Sequence, residues 1–377
     1  MTTTPPMGPA ADPVALGRRV VEILEVGRRV ATYKLATLSA LIEYCVENFP
    51  VDDPTVSLDV PPDALAGRVI ALYWRQVLPF KGAGLHGPDR TLRQNTGKKA
   101  RILREVEKFR EAAKATDREM SLDIAKSRAP RHYARAQRNV RNVLVWRPLY
   151  RLQRLPVKGG GQTVSDPFLY DDDWMGEDIP VHVIDEHAVV ELRPGVASAL
   201  ARLSGLLTPV LEMLWVKEIR RMNPALSEGV PDIEGHLFGR DRISLSRAFD
   251  ALTQAFDDLC FYCRKRPASE VDHVLPWSRS RIDGLANLVQ ACHKCNDNKR
   301  DSLPAPEHVE NALDRGHAML QQIADSITWP VNYDDVRSVG RGLYLSAPET
   351  PVWIAVNETG PLDLSATPEW MLTFGEK

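Results

Sequence analysis

The sequence has no long apolar run, no basic leader, few cysteines and no large excess of charge of either sign. No apolar stretch reaches the ~20 residues that a membrane-spanning helix needs, so we expect no membrane association. The first residues, MTTTPPMGPAADP, lack the basic start and the apolar core of a secretory signal peptide. A cytoplasmic location is therefore the expectation. The net charge of −2 neither requires nor excludes nucleic acid as a partner.

Size and composition allow two or three folded domains. The chain has 377 residues, of which 44% are hydrophobic and 26% charged, as in ordinary globular proteins. Apolar residues at helical spacing predict helices over residues 14–49, 61–80, 92–115 and 194–222. We expect a helix break at Gly27, a bend near Pro209 and a strand within HVIDEHAVVELRP. KGGGQTVSDP reads as a loop between these helical segments.

These patterns predict four segments. Residues 1–14 form a flexible tail, and residues 15–240 form a mostly helical region that targets the protein to its substrate. Residues 241–304 contain the cysteine-rich module, and residues 305–377 form a C-terminal helix and a mixed segment. Within that last part, EHVENALDRGHAMLQQIADSI predicts an amphipathic helix and VWIAV a strand.

Four of the five cysteines lie in two Cys-x-x-Cys pairs, Cys260 with Cys263 and Cys292 with Cys295. In a cytosolic chain this pattern favours a metal over disulfides. Two such pairs bring four thiolates to one point, as in the closed tetrahedral site of structural Zn²⁺. Free or redox-active cysteines are the alternative. The fifth, Cys45, lies on an apolar helix face and reads as a small buried hydrophobic residue.

The residues between the two pairs form a second pattern. VDHVLP reads as a short strand that ends in Asp272 and His273, and NLVQA reads as a second strand that Asn287 introduces. A helix is expected to begin at Asn296, directly after the last cysteine. The sequence therefore predicts a strand–loop–strand–helix hairpin with polar residues at the ends of its elements.

From Cys260 to Lys299 this segment resembles the HNH endonuclease family, the ββα-metal nucleases, in its zinc-stapled form. The shared pattern is a Cys-x-x-Cys, an Asp-His before an apolar residue and Pro, an Asn before Leu, a second Cys-x-x-Cys, and a final His or Asn with a Lys nearby. The resemblance implies a small zinc-bound ββα-metal nuclease module. Together with the helical spacing described above, the expected fold is a mostly α N-terminal region, this module and a mixed α+β C-terminal segment. The resemblance also implies hydrolysis of phosphodiester bonds.

The resemblance assigns roles to five residues. His273 is expected to be the general base that activates water, since an imidazole titrates close to neutral pH. Asp272 and Asn296 are expected to bind a catalytic divalent ion. Asn287 holds the loop between the strands and orients His273, and Lys299 holds a phosphate oxygen. Four of them also have a purely structural interpretation. Asp272 and His273 could be a hydrogen-bonded pair, Asn287 a turn residue and Lys299 an exposed lysine on a helix.

Asn296 stands where the family often has His, which makes this chain an HNN variant. An Asn offers a carbonyl oxygen, which hard ions such as Mg²⁺ prefer, whereas imidazole suits transition metals better. We therefore expect activity with Mg²⁺ or Mn²⁺ and poor activity with Ni²⁺ or added Zn²⁺.

An arginine-rich stretch is the expected DNA contact. Residues 128–158 contain no acidic side chain, and aromatic residues alternate there with arginines at helical spacing. The candidates are Arg131, Arg135, Arg138, Arg147, Arg151 and Arg154, together with Arg279 and Arg281 in the loop between the nuclease strands. The alternative is a solvated surface paired with acidic neighbours such as YDDDWMGED.

The sequence thus predicts a metal-dependent DNA endonuclease of a restriction system, a phage-defence system or a mobile element. Such a protein acts as a homodimer or with a defence-system partner protein. A non-catalytic zinc module that binds DNA or a partner protein is the alternative, and a toxin-type nuclease is a third hypothesis. No Walker motif is present, which argues against ATP-driven translocation by this chain.

Overall fold

The computed structural model describes residues 12–26, 31–50, 52–80, 91–97, 100–115, 120–156, 163–187, 189–224, 226, 233–238, 245–363 and 369–372. The chain divides into two compact units. Residues 1–46 and 50–241 belong to the N-terminal unit, and residues 47–49 and 242–377 to the C-terminal unit. The predicted break at Gly27 and most of the predicted tail fall outside the described residues.

The N-terminal unit is mostly helical, as predicted. Its helices are α1 Pro13–Val26, α2 Tyr33–Glu47, α3 Pro62–Tyr73, α4 Arg101–Ala112, α5 Leu122–Arg128, α6 Pro130–Leu144, α7 Tyr150–Leu152, α8 Val181–Glu186, α9 Val196–Arg202, α10 Ser204–Met222 and α11 Ile233–Phe238, with a π-helical turn at Val145–Leu149. Two short antiparallel pairs accompany them: β1 Leu58–Val60 with β4 Val190–Leu192, and β2 Arg154–Pro156 with β3 Thr163–Ser165.

Amphipathic helices build the core of this unit. In α4 the buried Ile102, Val106 and Phe109 recur at three- and four-residue spacing, which puts them on one face. α6 buries Ala136 and Val140 in the same way and packs against α3 and α4. The opposite face of α6 is left to solvent, and this is the face that carries the predicted arginines.

A buried polar network joins the segment 91–97 to this core. The amide oxygen of Gln94 accepts from the Thr32 hydroxyl at 2.9 Å and from the Trp215 indole at 3.0 Å. Its amide nitrogen donates to Gln76 at 2.7 Å. Thr32, Gln76 and Gln94 have no exposed surface. Because each of these contacts satisfies a buried polar group, the network fixes a segment that has no regular structure of its own.

Two local predictions for this unit need correction. The bend expected near Pro209 lies at Leu203, where α9 and α10 meet at an angle of 73°. α10 continues through Pro209, so this proline does not mark the bend. The predicted strand in HVIDEHAVVELRP is limited to β4, because residues 181–186 form α8. No single described helix has both the length and the hydropathy of a membrane span, although the bent pair α9–α10 meets those criteria together.

The C-terminal unit combines short hairpins with helices. Its helices are α12 Ser246–Phe256, α13 Trp277–Ser280, α14 His293–Lys299, α15 Pro306–Leu313, α16 His317–Ile327, α17 Tyr333–Ser346 and α18 Glu369–Leu372, with a 3-10 turn at Leu285–Asn287. Its strands pair antiparallel as β5 Glu270–His273 with β6 Leu288–Ala291, and β7 Val352–Ala355 with β8 Glu358–Gly360.

The ββα arrangement expected between the cysteine pairs is present as β5, β6 and α14. The helix begins at His293, three residues earlier than predicted, so that Cys295 and Asn296 both lie within it. The single helix expected over residues 307–327 is divided into α15 and α16, because Gly316 takes a φ of 81° between them. The boundary predicted after residue 304 lies inside this unit.

Candidate active site

The four paired cysteines meet at one point beside the β5–β6 hairpin. The sulfur atoms of Cys260, Cys263, Cys292 and Cys295 lie within 4.8 Å of one another, and none forms a disulfide. Four sulfurs bound to one Zn²⁺ at 2.3 Å lie about 3.8 Å apart, so small side-chain movements complete such a site. Trp353 from β7 packs against this cluster. The four cysteines therefore fit a closed structural zinc site.

Backbone donors favour the thiolate form of one member of this cluster, Cys263. Burial raises the pKa of the Cys263 thiol, but N–H groups of Lys265 and Arg266 donate to its sulfur, and the pKa falls to about 6. A metal needs the deprotonated ligand, so this turn prepares the sulfur for binding.

The hairpin places two adjacent side chains on opposite faces of β5. Asp272 pairs with Val289 and His273 with Leu288 in the antiparallel register. Because side chains alternate along a strand, Asp272 and His273 point in opposite directions. Both are largely buried, with exposed fractions of 7% and 8%. The two residues therefore act in different environments, although they are neighbours in the chain.

His273 forms a hydrogen bond with Asp283, a residue that the sequence did not single out. Nε2 of His273 lies 2.9 Å from Oδ1 of Asp283. A carboxylate can only accept, so Nε2 carries the proton and Nδ1 keeps its lone pair in the neutral ring. That tautomer suits a general base that acts through Nδ1. Nothing in the local sequence distinguishes Asp283 from an ordinary loop carboxylate.

Asn287 braces the loop between the two strands, as the sequence predicted for it. Its amide oxygen accepts from the backbone N–H of Leu275 at 2.8 Å, and its nitrogen donates to the carbonyls of Leu275 and Ile282 at 3.0 Å. Its own carbonyl accepts from the N–H of Val274, the residue after His273. Asn287 has no exposed surface. It therefore fixes both ends of the loop that follows His273.

The environment of Lys299 differs from the one predicted. It was expected to reach a phosphate, but the side chain has no exposed surface. Its ammonium group donates to the carbonyl of His273 at 2.7 Å and lies 3.0 Å from Oδ2 of Asp272. The same carboxylate oxygen accepts from the hydroxyl of Tyr262 at 2.6 Å. Lys299 thus holds α14 against the end of β5 and offers no charge to solvent.

A second pair of side chains, Glu270 on β5 and Asn296 on α14, also links these two elements. Oε2 of Glu270 accepts from the amide nitrogen of Asn296 at 2.9 Å, and Oε1 lies 3.0 Å from Nδ1 of His293. Glu270 precedes Asp272 by two strand positions, and Asn296 precedes Lys299 by three helix positions, so both pairs lie on facing surfaces. Because Glu270 can only accept, the amide oxygen of Asn296 is turned away from it and is available as a ligand.

A comparison with known protein families finds a match for the segment that contains these residues. Residues 260–302 match the HNH endonuclease family. The family consists of nucleases, so this segment is a nuclease-type module, here called the HNH module. It covers a small part of the 377 residues. No curated protein and no solved structure matches the chain.

Segments that follow the HNH module support the loop between β5 and β6. The Trp329 indole donates to the carbonyl of Asp283 at 2.8 Å. The backbone N–H groups of Leu285 and Ala286 donate to the carbonyls of residues 330 and 331. Arg315 donates to the carbonyls of Leu285, Ala286 and Leu288 at 2.7–3.1 Å. These contacts explain the position of the C-terminal segment, to which the sequence assigned no role.

The β7–β8 hairpin is joined to the helix of the HNH module through Asn298. The oxygen of that amide accepts from the Trp353 indole at 2.9 Å and from the backbone N–H of Asn357 at 3.0 Å. Trp353 also exchanges backbone hydrogen bonds of 2.7 Å with Leu303 and Ala305. Neither contact could be predicted from local sequence, because both join residues that are far apart in the chain.

The predicted arginine contacts fall into three groups. Arg279 lies in α13 and Arg281 directly follows it, in the loop between β5 and β6, where Arg281 lies over Trp277. On α6, Arg131, Arg135 and Arg138 are exposed on one face. Arg279 is also exposed, whereas Arg281 is half-buried.

The remaining arginines contradict the prediction of an uncompensated patch. Arg147 and Arg151 both pair with Glu177, and Arg154 pairs with the buried Asp172. These acidic partners belong to YDDDWMGED, the alternative that the sequence left open. Ion pairs to neighbouring carboxylates reduce the positive potential of the surface, so Arg147, Arg151 and Arg154 do not form the uncompensated patch that was predicted.

Proposed function

We propose that this protein is a metal-dependent DNA endonuclease in which His273 acts as the general base. The observation that carries the proposal is the His273–Asp283 hydrogen bond at the strand end of a segment that matches a nuclease family. Asp283 holds the Nε2–H tautomer, and Nδ1 accepts a proton from the attacking water. Asn287 keeps the following loop in place, so the imidazole keeps its direction.

Asp272 and Asn296 would hold the divalent ion. The two partners described above for the Asp272 carboxylate, Tyr262 and Lys299, both contact Oδ2 and leave Oδ1 for an ion, and Asn296 has the amide oxygen that Glu270 turns outward. When bound, a Mg²⁺ or Mn²⁺ ion supplies positive charge at the scissile phosphate and the leaving oxygen. Two oxygen donors suit these hard ions better than Ni²⁺ or Zn²⁺.

Arginines of both units would bind the DNA backbone; of these, Arg281 is half-buried and the others are exposed. Arg279 and Arg281 follow the candidate catalytic residue in the same loop, and Arg131, Arg135 and Arg138 form a positive surface on the N-terminal unit. Contacts of this kind position a duplex without reading its sequence. We further propose a role in restriction, phage defence or a mobile element, as a homodimer or with a partner protein.

The test is a plasmid-nicking assay with Mg²⁺, Mn²⁺, Ni²⁺, added Zn²⁺ or EDTA, on unmodified and modified DNA. We expect cutting with Mg²⁺ and Mn²⁺, and its loss in His273→Ala. His317→Ala, at an exposed histidine of the same unit, is the matched control and keeps full activity. Cutting by His273→Ala at the wild-type rate, or cutting with Ni²⁺ but not Mg²⁺, would contradict the assignment.

A non-catalytic zinc module is the second candidate. The observation in its favour is that Tyr262 and Lys299 both contact the Asp272 carboxylate, which competes with an ion for the same oxygen. This candidate predicts DNA binding without cleavage under every metal, from folded protein that carries zinc. Gel-shift and nicking assays on the same preparation separate the two candidates.

A further inference from the structure

A cavity of about 490 Å³ lies beside the HNH module, away from the residues to which the proposed reaction assigns a step. It is bounded by the end of α12, the turn that carries the first cysteine pair, β6 and α15. Its volume lies within the range of small-molecule and cofactor sites.

Aromatic rings form much of its lining. Phe256, Phe261 and Tyr262 line the cavity, and all three keep part of their surface exposed. The ring of Phe261 meets that of Tyr262 edge to face at 5.2 Å, and Tyr262 meets His308 in the same way at 5.3 Å. Rings held in this way present a stiff apolar surface to a flat ligand.

Polar groups with unused hydrogen-bonding capacity share the same lining. Gln290 is 2% exposed, and its amide oxygen has no hydrogen-bond partner among the described residues. Arg315 has five N–H donors, of which four are used on backbone carbonyls. Burial lowers the pKa of Arg315 to about 10, and no carboxylate of the described residues contacts it. A buried cation of this kind is stabilised by an anion.

Arg264 adds a second cation at the rim. It is exposed and pairs with Asp257, which is also exposed. Such a surface pair contributes little free energy, so an incoming phosphate can take the place of the carboxylate. Asn311 is exposed on the α15 side of the cavity.

This combination selects a ligand class. A purely apolar ligand would leave Gln290 and Arg315 without new partners, and inorganic phosphate would leave the aromatic lining unused. We propose that the cavity binds one nucleotide, with its base against the rings and the Gln290 amide and its phosphate near Arg264 and Arg315. Base stacking on aromatic side chains beside arginine is the common mode of binding for unpaired nucleotides.

The cavity is linked to the candidate active site through Tyr262. Its ring lines the cavity, and its hydroxyl donates to Asp272 at 2.6 Å. A base that contacts this ring therefore touches the side chain that orients one of the proposed metal ligands. The nucleotide comes either from solution or from a DNA strand whose base is turned out of the stack.

Binding is tested without cleavage, on zinc-loaded full-length protein with no added Mg²⁺. Each of the four deoxynucleoside 5′-monophosphates is titrated by calorimetry, and we expect saturation with a dissociation constant below about 1 mM for at least one of them. Arg264→Gln weakens that affinity at least fivefold. Arg300→Gln is the matched control, since Arg300 is also exposed and paired with a nearby carboxylate, Asp297, and it changes the affinity less than twofold.

A second measurement identifies the source of the nucleotide. A duplex with one 2-aminopurine is added to the same protein, and its fluorescence rises if the base leaves the stack and enters the cavity. A rise that Asn311→Ala or Gln290→Leu reduces assigns the cavity to DNA, whereas mononucleotide binding without a rise assigns it to a free nucleotide. The proposal is overturned if no mononucleotide binds and no rise occurs, or if binding is insensitive to all three variants. None of these results depends on phosphodiester hydrolysis, so a failure here leaves the proposed nuclease function untouched.

Discussion

A substitution of Lys299 tests whether this residue binds phosphate or stabilises the fold of the HNH module. A phosphate-binding lysine and a buried structural lysine respond differently to the same change. We consider Lys299→Met, which keeps the length of the aliphatic chain and removes the charge. In the structure this change leaves the Asp272 carboxylate, which is 7% exposed, with the Tyr262 hydroxyl as its one hydrogen-bond partner among the described residues. It also removes the donor to the carbonyl of His273.

The expected loss of stability follows from the burial of both Lys299 and Asp272. Removal of one member of a buried ion pair costs about 3–5 kcal/mol, because the other charge stays in the interior without compensation. For a unit of this size, 1 kcal/mol corresponds to roughly 3 °C in Tm. We therefore expect the C-terminal unit of Lys299→Met to unfold about 10–15 °C earlier. In the double variant Lys299→Met/Asp272→Asn no buried charge is left alone, so about 2 kcal/mol or more of the loss returns.

The assay is denaturant unfolding of zinc-loaded protein, followed by zinc release and by tryptophan fluorescence. Zinc release reports on the C-terminal unit, which contains the cysteine cluster. Lys294→Met is the control, since Lys294 is exposed on the same helix, and its effect stays within about 0.5 kcal/mol.

The refuting result is a Lys299→Met protein with wild-type stability and reduced DNA cleavage. That outcome would place the ammonium group at the substrate, as the sequence suggested, and would contradict its burial. A double variant that is no more stable than Lys299→Met alone would refute the coupling between the two side chains.

Three further changes have defined outcomes. Asp283→Asn removes the acceptor that holds the His273 tautomer, so kcat for plasmid cleavage falls about 10–10³-fold with unchanged zinc content; a kcat within twofold of wild type would show that Asp283 is dispensable. Glu270→Gln allows the amide of Asn296 to turn, so Mn²⁺ affinity measured by electron paramagnetic resonance falls several-fold, and equal affinity would remove Glu270 from the site. Gly284→Ala places a Cβ 2.3 Å from the carbonyl oxygen of Val331, so thermal unfolding shows a loss of about 1–3 kcal/mol; an unchanged Tm would mean that the loop moves freely.

Local sequence patterns predicted much of the candidate site. The spacing of the cysteines predicted their meeting point, and the alternation of apolar and polar residues predicted the β5–β6 hairpin and the place of Asn287. Glu270 also had a local signal, because it lies two strand positions before Asp272 and so shares its face. These features depend on residues within one short hairpin, where sequence spacing fixes geometry.

The remaining features depend on contacts between distant residues. The burial of Lys299 follows from Tyr262 and Asp272, which lie far from it in the chain, and a lysine on a short helix shows no such environment in sequence. The pairing of Arg154 with Asp172 likewise joins residues that are 18 positions apart in the chain. The bend at Leu203 could not be located from Pro209, because a proline marks a place where a helix can bend, and α10 continues through this one.

The hydrogen bonds that residues 315–357 make to the loop between β5 and β6 and to α14 have a practical meaning for protein engineering. A fragment cut at the limits of the family match, residues 260–302, would lose Arg315 and Trp329, which donate to backbone carbonyls of that loop and of β6, and Trp353, which donates to the amide oxygen of Asn298. The β5–β6 hairpin is thus not a unit that can be moved to another protein by itself. A transplantable version would have to begin before α12 and run past β8.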